Sequence, residues 1–185
     1  MDKLLNKFNV CLSAFTIFPG KMKRIGIISD THGCFDDKLK RFLADVDEVW
    51  HAGDFGTIVV ADEIARFKPL VGVHGNIDGG ETRIVYPEFQ SFGCEGVRVL
   101  MTHIGGYPGR YDIKNYARIK SFRPQIFVAG HSHILKVQYD KSNDLLFINP
   151  GAAGISGFHH VRTSVRLVID GSDIRDLEVG EWPKR

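Results

Sequence analysis

The sequence predicts an α/β fold built on mixed sheets with helices outside, and three observations predict it. Short runs rich in β-branched residues recur along the chain between polar or glycine positions, as strands covered on both faces require. They include Ile25-Gly26-Ile27-Ile28, Glu48 to His51, Leu70-Val71-Gly72-Val73 and Gln125 to Ala129. Between the first three lie two stretches of helical periodicity, a β-α-β-α-β alternation that implies parallel pairing. The second half is richer in strands and carries a hairpin signal at Gly93-Cys94-Glu95-Gly96.

Composition bounds the reading. With 185 residues, 43% hydrophobic and 25% charged, the chain has the size and make-up of one ordinary globular domain with a sizeable core. A net charge of +2 gives no sign of a general nucleic-acid or membrane surface, so an anionic substrate must be drawn by a local site. Cys11, Cys34 and Cys94 form no close pair and leave one over, which argues against a disulfide framework and for a cytoplasmic protein.

The elements follow in order. Lys3 and Lys7 before Val10 to Phe18 superficially resemble a secretory signal, but Ser13 and Thr16 interrupt the apolar run and Pro19-Gly20 stands where a small-x-small cleavage site belongs. The run is also too short to span a bilayer. Residues 1–21 are therefore expected to be a poorly ordered extension or an upstream-start artefact, with a single domain over 22–185. Strand 24–29 leads to Asp30 and His32. Phe35, Leu39, Phe42, Leu43 and Val46 then fall at helical spacing, and strand 48–51 ends in Gly53-Asp54. A second helix, with Ile58, Val60, Ala61, Ile64, Ala65 and Phe67 on a broad apolar face, stops at Pro69; the third strand ends in Gly75-Asn76-Ile77-Asp78. Strands 88–92 and 97–102 deliver His103. A Gly/Pro-rich loop over 105–110 precedes a helix at 112–122, with Asp112 as its cap and Pro124 beyond it. Strand 125–129 ends in Gly130-His131-Ser132-His133, and 135–139, 145–148 and the alternating 161–167 complete the pattern up to the turn pair Asp170-Gly171.

Asp30, His32, Asp54, Asn76, His103, His131 and His133 all follow expected strands, where convergent loops bring distant residues together. Two carboxylates, one amide oxygen and four imidazoles without a thiolate suit Mn, Fe or Zn better than a structural zinc built on Cys. Seven donors exceed one tetrahedral ion and suit two ions sharing a bridge. Two divalent ions, two carboxylates and a bridging hydroxide leave about one positive charge, which attracts a phosphate.

In their order, Asp30-x-His32, Gly53-Asp54, Gly75-Asn76-x-Asp78, His103 and Gly130-His131-x-His133 resemble the motifs of the calcineurin-like metallophosphoesterase superfamily, and the chain from Met22 is similar to its small YfcE-like branch. The resemblance implies a four-layer α-β-β-α sandwich of two mixed sheets flanked by helices. It assigns one metal to Asp30, His32, Asp54 and His133 and a second to Asp54, Asn76, His103 and His131, with Asp54 as the bridge. The cofactors implied are two divalent ions, manganese foremost, with iron, zinc or nickel as alternatives. Asp54, Asn76 and His103 become the catalytic residues for in-line attack on a phosphoester by a metal-bridging hydroxide.

Ile77 stands where larger members carry a histidine that can protonate the leaving group. This shifts the expectation toward phosphodiesters rather than monoesters, with His74 as a substitute donor. Gly105 stands where a second histidine is common, and Arg110 is a candidate phosphate contact in its place. Asp78 is expected to brace its own loop, His51 to pack beneath the site, Cys34 to be a packing residue, and His159 and His160 to be surface histidines. The expected substrate is a small phosphodiester or nucleotide-like molecule, with no stable nucleic-acid complex and no membrane. Relatives of this kind often self-associate, which makes a homo-oligomer a further expectation. The alternative function is a non-catalytic metal-binding scaffold or protein-interaction module on the same fold.

Overall fold

The structure is a computed structural model that describes residues 22–184, so the expected extension over 1–21 lies outside the described residues. The β-branched runs form strands. β1 (Lys23–Ile28), β2 (Glu48–His51) and β3 (Leu70–Gly72) pair in parallel, crossed over by α1 (Asp37–Phe42) and α2 (Ile58–Phe67). Beyond α3 (Gly80–Val85), β4 (Phe89–Cys94) and β5 (Val97–Thr102) form the expected hairpin; a small hairpin of β6 (Gly106–Tyr107) and β7 (Arg110–Tyr111) then leads into α4 (Ile113–Phe122). β8 (Ile126–Val128), β9 (Leu135–Asp140) and β10 (Leu145–Pro150) follow, and β11 (Val161–Asp170) and β12 (Asp173–Pro183) close the chain.

These strands form two mixed sheets. The first has the order β12-β11-β1-β2-β3, and the second β4-β5-β8-β10-β9. Parallel pairs join β1, β2 and β3 on one side of the first sheet and β5, β8 and β10 in the middle of the second, while β4, β9, β11 and β12 pair antiparallel. The two-residue alternation of side chains along a strand then makes three cores. Ile25, Ile27, Val99, Met101, Val128 and Ile148 point between the sheets. Ile28 and Val49 meet Leu39, Leu43 and Ile64 under α1 and α2. Leu100, Phe127 and Phe147 meet Ile119 of α4 on the other outer face. The result is the four-layer α-β-β-α sandwich. Among the described residues, no helix is long and apolar enough to cross a membrane.

Some boundaries differ from the sequence reading. The stripe from Phe35 to Val46 is buried as periodicity requires, yet only six residues of it are helical. Asp36 starts this helix by accepting a bond from Leu39 N–H (3.1 Å), and Val46 packs from the following loop. The unanticipated α3, β6–β7 and β12 are short or mostly exposed, so neither an apolar stripe nor a buried run announces them.

Candidate metal centre

The loops after β1, β2, β5 and β8 lie against one another through backbone bonds. Asp30 N–H donates to Gly53 O (2.9 Å), His32 N–H to Asp54 O (3.0 Å), Gly33 N–H to Phe55 O (2.8 Å) and Gly130 N–H to His103 O (2.9 Å). Such sharp departures from strands bend the backbone into the left-handed region that side chains avoid. Nine non-glycine residues among those described have positive φ, and Asp30, His32, Asp54, His131 and His133 are five of them. Backbone strain concentrated on chemically active residues is a mark of a functional site, where aim matters more than local comfort.

The seven side chains from the sequence reading come together, and six of them form two groups. Asp30, His32 and His133 offer ligand atoms within 4.8 Å of one another, and so do Asp54, His103 and His131. Asn76 joins the second group, its Oδ1 lying 3.0 Å from His103 Nε2. Asp54 Oδ2 reaches toward both, at 3.3 Å from His103 Nε2 and 4.0 Å from His32 Nε2.

These atoms fit a cation better than they fit each other. Asp30 Oδ1 is fully buried with no hydrogen-bond partner among the described residues, 3.2 Å from His133 Nε2 and 3.9 Å from His32 Nε2, while the two Nε2 atoms face each other at 3.0 Å. A buried carboxylate oxygen without a partner is costly. Asp30, His32 and His133 would be relieved of that cost on binding a divalent ion.

The surroundings fix which nitrogen each imidazole presents. His103 Nδ1–H donates to Ala52 O at 2.7 Å, which turns Nε2 toward Asp54. His159 Nε2–H donates to Gly154 O (3.0 Å); its Nδ1 is then an acceptor, and His133 Nδ1–H donates to it at 3.2 Å, leaving His133 Nε2 bare. Sequence reasoning placed His159 on the surface. It is instead partly buried against a candidate ligand, and only its position in a Gly-rich loop near the site hinted at this.

Electrostatics agree with this arrangement. Burial holds His32 and His159 below the ordinary histidine value. Burial also opposes charge on His103, but the contact with Asp54 and the charges of Asp30 and Asp54 outweigh it and raise its pKa. Asp54 is correspondingly lowered, since His103 and the Ile77 N–H overcome the effect of burial.

Three further residues brace the loops. Asp78 accepts from Asp54 N–H (3.0 Å), Gly75 N–H (2.7 Å) and Gly56 N–H (3.0 Å), so one carboxylate ties two of them together. Arg83 of α3 donates to the carbonyls of Asp78, Gly75 and Asn76. Arg162 of β11 is buried and forks onto Asp36 (2.7 and 3.0 Å) while its Nε–H donates to Ala153 O (2.7 Å). No spacing in the sequence pointed to Arg83 or Arg162: Arg83 bonds backbone carbonyls, which no side-chain pattern marks, and Arg162 meets Asp36 from the far end of the domain. His51 lies fully buried below the site, stacked on Phe55 at 3.7 Å.

Other sequence candidates lie around the rim. His74 bonds Tyr86 O (2.8 Å) through Nδ1 and lines a groove of about 310 Å³ with Asn76, Arg83, Glu88, Thr102 and His103. Arg110 is exposed on β7, outside both ligand groups. Cys34 sits 3.8 Å from the Arg162 guanidinium and takes no part in either group. Ile77 is 49% exposed at the mouth. A second groove of about 480 Å³ opens on the His131 side, and Ile104 lines both.

Comparison with known proteins places this arrangement in a family. The sequence model described as "Calcineurin-like phosphoesterase superfamily domain" matches residues 22–172. A protein of Methanothermobacter thermautotrophicus named "Probable metallophosphoesterase" is 28% identical over 166 residues, covering 84% of this chain and 90% of the relative. Among solved structures, a Thermotoga maritima protein is 26% identical with a TM-score of 0.65, covering 86% of this chain and 99% of its own. An archaeal protein described as a phosphodiesterase shares the fold at 24% identity and a TM-score of 0.64, over 84% of this chain and 99% of that one. With its family model spanning most of the domain and its donor side chains gathered at one sheet edge, the chain belongs to the calcineurin-like phosphoesterase superfamily and is a metal-dependent phosphoesterase.

Proposed function

We propose that the chain is a dinuclear phosphodiesterase acting on a small, nucleotide-like diester. The observation that carries this reading is the meeting of two donor groups at Asp54, with a separate groove opening on each side of the second group. A phosphorus centre held there has room for two different alcohol substituents, which is what a diester has and a monoester lacks. The archaeal neighbour described as a phosphodiesterase is consistent with this, but the two grooves are what favour the diester.

In this reading Asp30, His32, Asp54 and His133 hold one ion, and Asp54, Asn76, His103 and His131 the other. Divalent ions bound there supply Lewis acidity, which lowers the pKa of water and neutralises the charge that builds on the phosphoryl oxygens. The protein's own work is positional. Asp78 and Arg83 hold the Asp54 and Asn76 loops at the second group, and His159 and Ala52 O select the imidazole nitrogens that face inward. Ile77 supplies no proton, which favours esters whose leaving alcohol departs with little protonation. Against the alternative of a non-catalytic scaffold on the same fold stands the presence of all seven donor side chains, gathered in two groups.

The test is Asp54→Asn. Loss of the bridging charge is expected to lower turnover of a chromogenic phosphodiester by at least about a thousandfold and to release one or both ions. Elemental analysis and steady-state kinetics with added manganese measure both. Near-normal turnover in the variant, or hydrolysis of a monoester in preference to the diester by the unmodified protein, refutes the proposal.

A further inference from the structure

The groove on the His131 side is more apolar than the one across from it. Its walls are the chain from Ile104 to Tyr107 and the segment reaching Ile134 and Lys136. Gly105 lets the first wall lie close to the second sheet, and Gly106 lets it turn tightly against β7. A Cβ at Gly105 would stand 2.7 Å from Ala129 Cβ and 2.8 Å from Phe127 Cζ; one at Gly106, whose φ is +72°, would stand 2.8 Å from Tyr111 Cα. Ile104 (50% exposed) and Ile134 (66% exposed) present hydrocarbon to water, and the Tyr107 ring, 40% exposed, carries the Lys136 ammonium 4.5 Å from its centroid. Exposed apolar side chains gathered around a groove are unfavourable in water unless a ligand covers them. His131 belongs to both the groove and the second ligand group, so the groove is continuous with the point where a phosphorus would be held.

We infer that this groove seats one alcohol substituent of the substrate, and that the substituent is planar and aromatic. The inference rests on the diesterase reading and adds the class of group it accepts. A flat ring stacks on Tyr107, contacts Ile104 and Ile134 at its edges, and keeps its phosphate within reach of the Lys136 cation. The opposite groove, lined by His74, Arg83, Glu88 and Thr102, takes the more polar alcohol. The two ends of the diester are therefore distinguished, with the aromatic one on the His131 side.

Phenylphosphonate and methylphosphonate, which cannot be hydrolysed as esters, separate the ring from the anion. Calorimetric titration of the manganese-loaded protein is expected to show phenylphosphonate binding about tenfold more tightly, the usual worth of one aromatic contact. Tyr107→Ala and Ile134→Asp should each bring phenylphosphonate down toward the methylphosphonate affinity, while Tyr107→Phe keeps the preference. Circular dichroism confirms folding of each variant, and the two variants lie on separate segments, so the loss of one to misfolding leaves the other. Equal affinities in the unmodified protein, or a preference that survives both substitutions, overturns the aromatic seat while leaving a phosphate site in place. Failure of the metal-bearing protein to bind either phosphonate also overturns the seat, whereas the phosphodiesterase reading stands or falls separately on the turnover of diester and monoester by the unmodified protein.

Discussion

An imidazole that binds a cation must present one nitrogen bare, and the partner of its other nitrogen decides which one that is. For His103 the partner is Ala52 O, a backbone atom that no substitution removes. For His133 it is a side chain, His159, itself anchored on Gly154 O. His159→Ala is therefore expected to weaken metal binding by roughly 10- to 100-fold, the usual effect of losing such an orienting group. Manganese titration of chelator-stripped protein measures it, and an affinity within twofold of the unmodified protein would sink the assignment. That these seven side chains gather was legible in the sequence because each follows a strand and their types share one coordination chemistry. His159 was not, because its role comes from a loop folding back onto Asp30 and His133, and a histidine in a Gly-rich stretch carries no sign of that.

At the scale of elements, the loop between β10 and β11 acts as a wedge behind the first ligand loop. Ala153 N–H donates to Ser29 O (2.9 Å), Gly154 N–H donates to Asp30 O (3.0 Å), and Arg162 clamps Ala153 O from the far side. Gly154 is needed because the two backbones touch: a Cβ there would stand 2.6 Å from Thr31 C and 2.7 Å from Asp30 O. Backbone cannot yield as a side-chain tip can, so Gly154→Ala is expected to cost roughly 2–4 kcal/mol and to displace Asp30. Gly93 in β4 has open space around the same added atom, and Gly93→Ala should change stability by less than about 1 kcal/mol. Urea unfolding of the stripped proteins makes the comparison; equal midpoints for the two variants refute the wedge. The strands on either side of this loop show what a sequence reveals of an element. β10 and β11 bury alternate or successive residues and were visible as such, whereas β12 exposes nearly every position on a sheet edge and owes its place to pairing with β11. Pairing leaves no periodic trace when neither face is buried. The helix α1 shows the converse, since its apolar stripe runs on into a loop that packs equally well.

For the molecule as a whole, the buried His51 sets how stability responds to acid. Gly53 N–H donates to its Nδ1 (3.1 Å), so the proton sits on Nε2 and is directed at Thr31 Oγ1 (2.9 Å); this is a neutral ring with both nitrogens in use. Complete burial, with the charge of nearby His103 as a smaller cause, pushes its pKa down to about 3. The unfolded chain takes up a proton at this histidine near pH 6.5 and the folded chain does not, so below that pH protons favour unfolding. Its contribution is fully present above about pH 6.5 and is lost as pH falls toward 3, amounting to about 2 kcal/mol between pH 7 and pH 5. Asp36 has the same sign at lower pH. Its bonds with Arg162 lower it to about 2, so its stabilisation holds above the ordinary carboxylate value near 3.8 and fades below it, reduced by solvent screening of a carboxylate that is 39% exposed. His103, whose pKa is raised, works the other way, its contribution being present below about pH 6.5 and fading as pH rises through its folded value. The separable quantity is the His51 term. His51→Asn keeps an acceptor for Gly53 N–H but carries no titrating ring, so it should be less stable than the unmodified protein at pH 8, through the lost stacking on Phe55, and yet lose about 2 kcal/mol less on going from pH 7 to pH 5. Urea unfolding of both proteins with chelator present, at pH 8, 7 and 5, keeps metal release out of the comparison. Parallel acid losses in the two proteins would show that His51 is charged in the fold, and would remove the neutral Gly53–His51–Thr31 chain from beneath the metal centre.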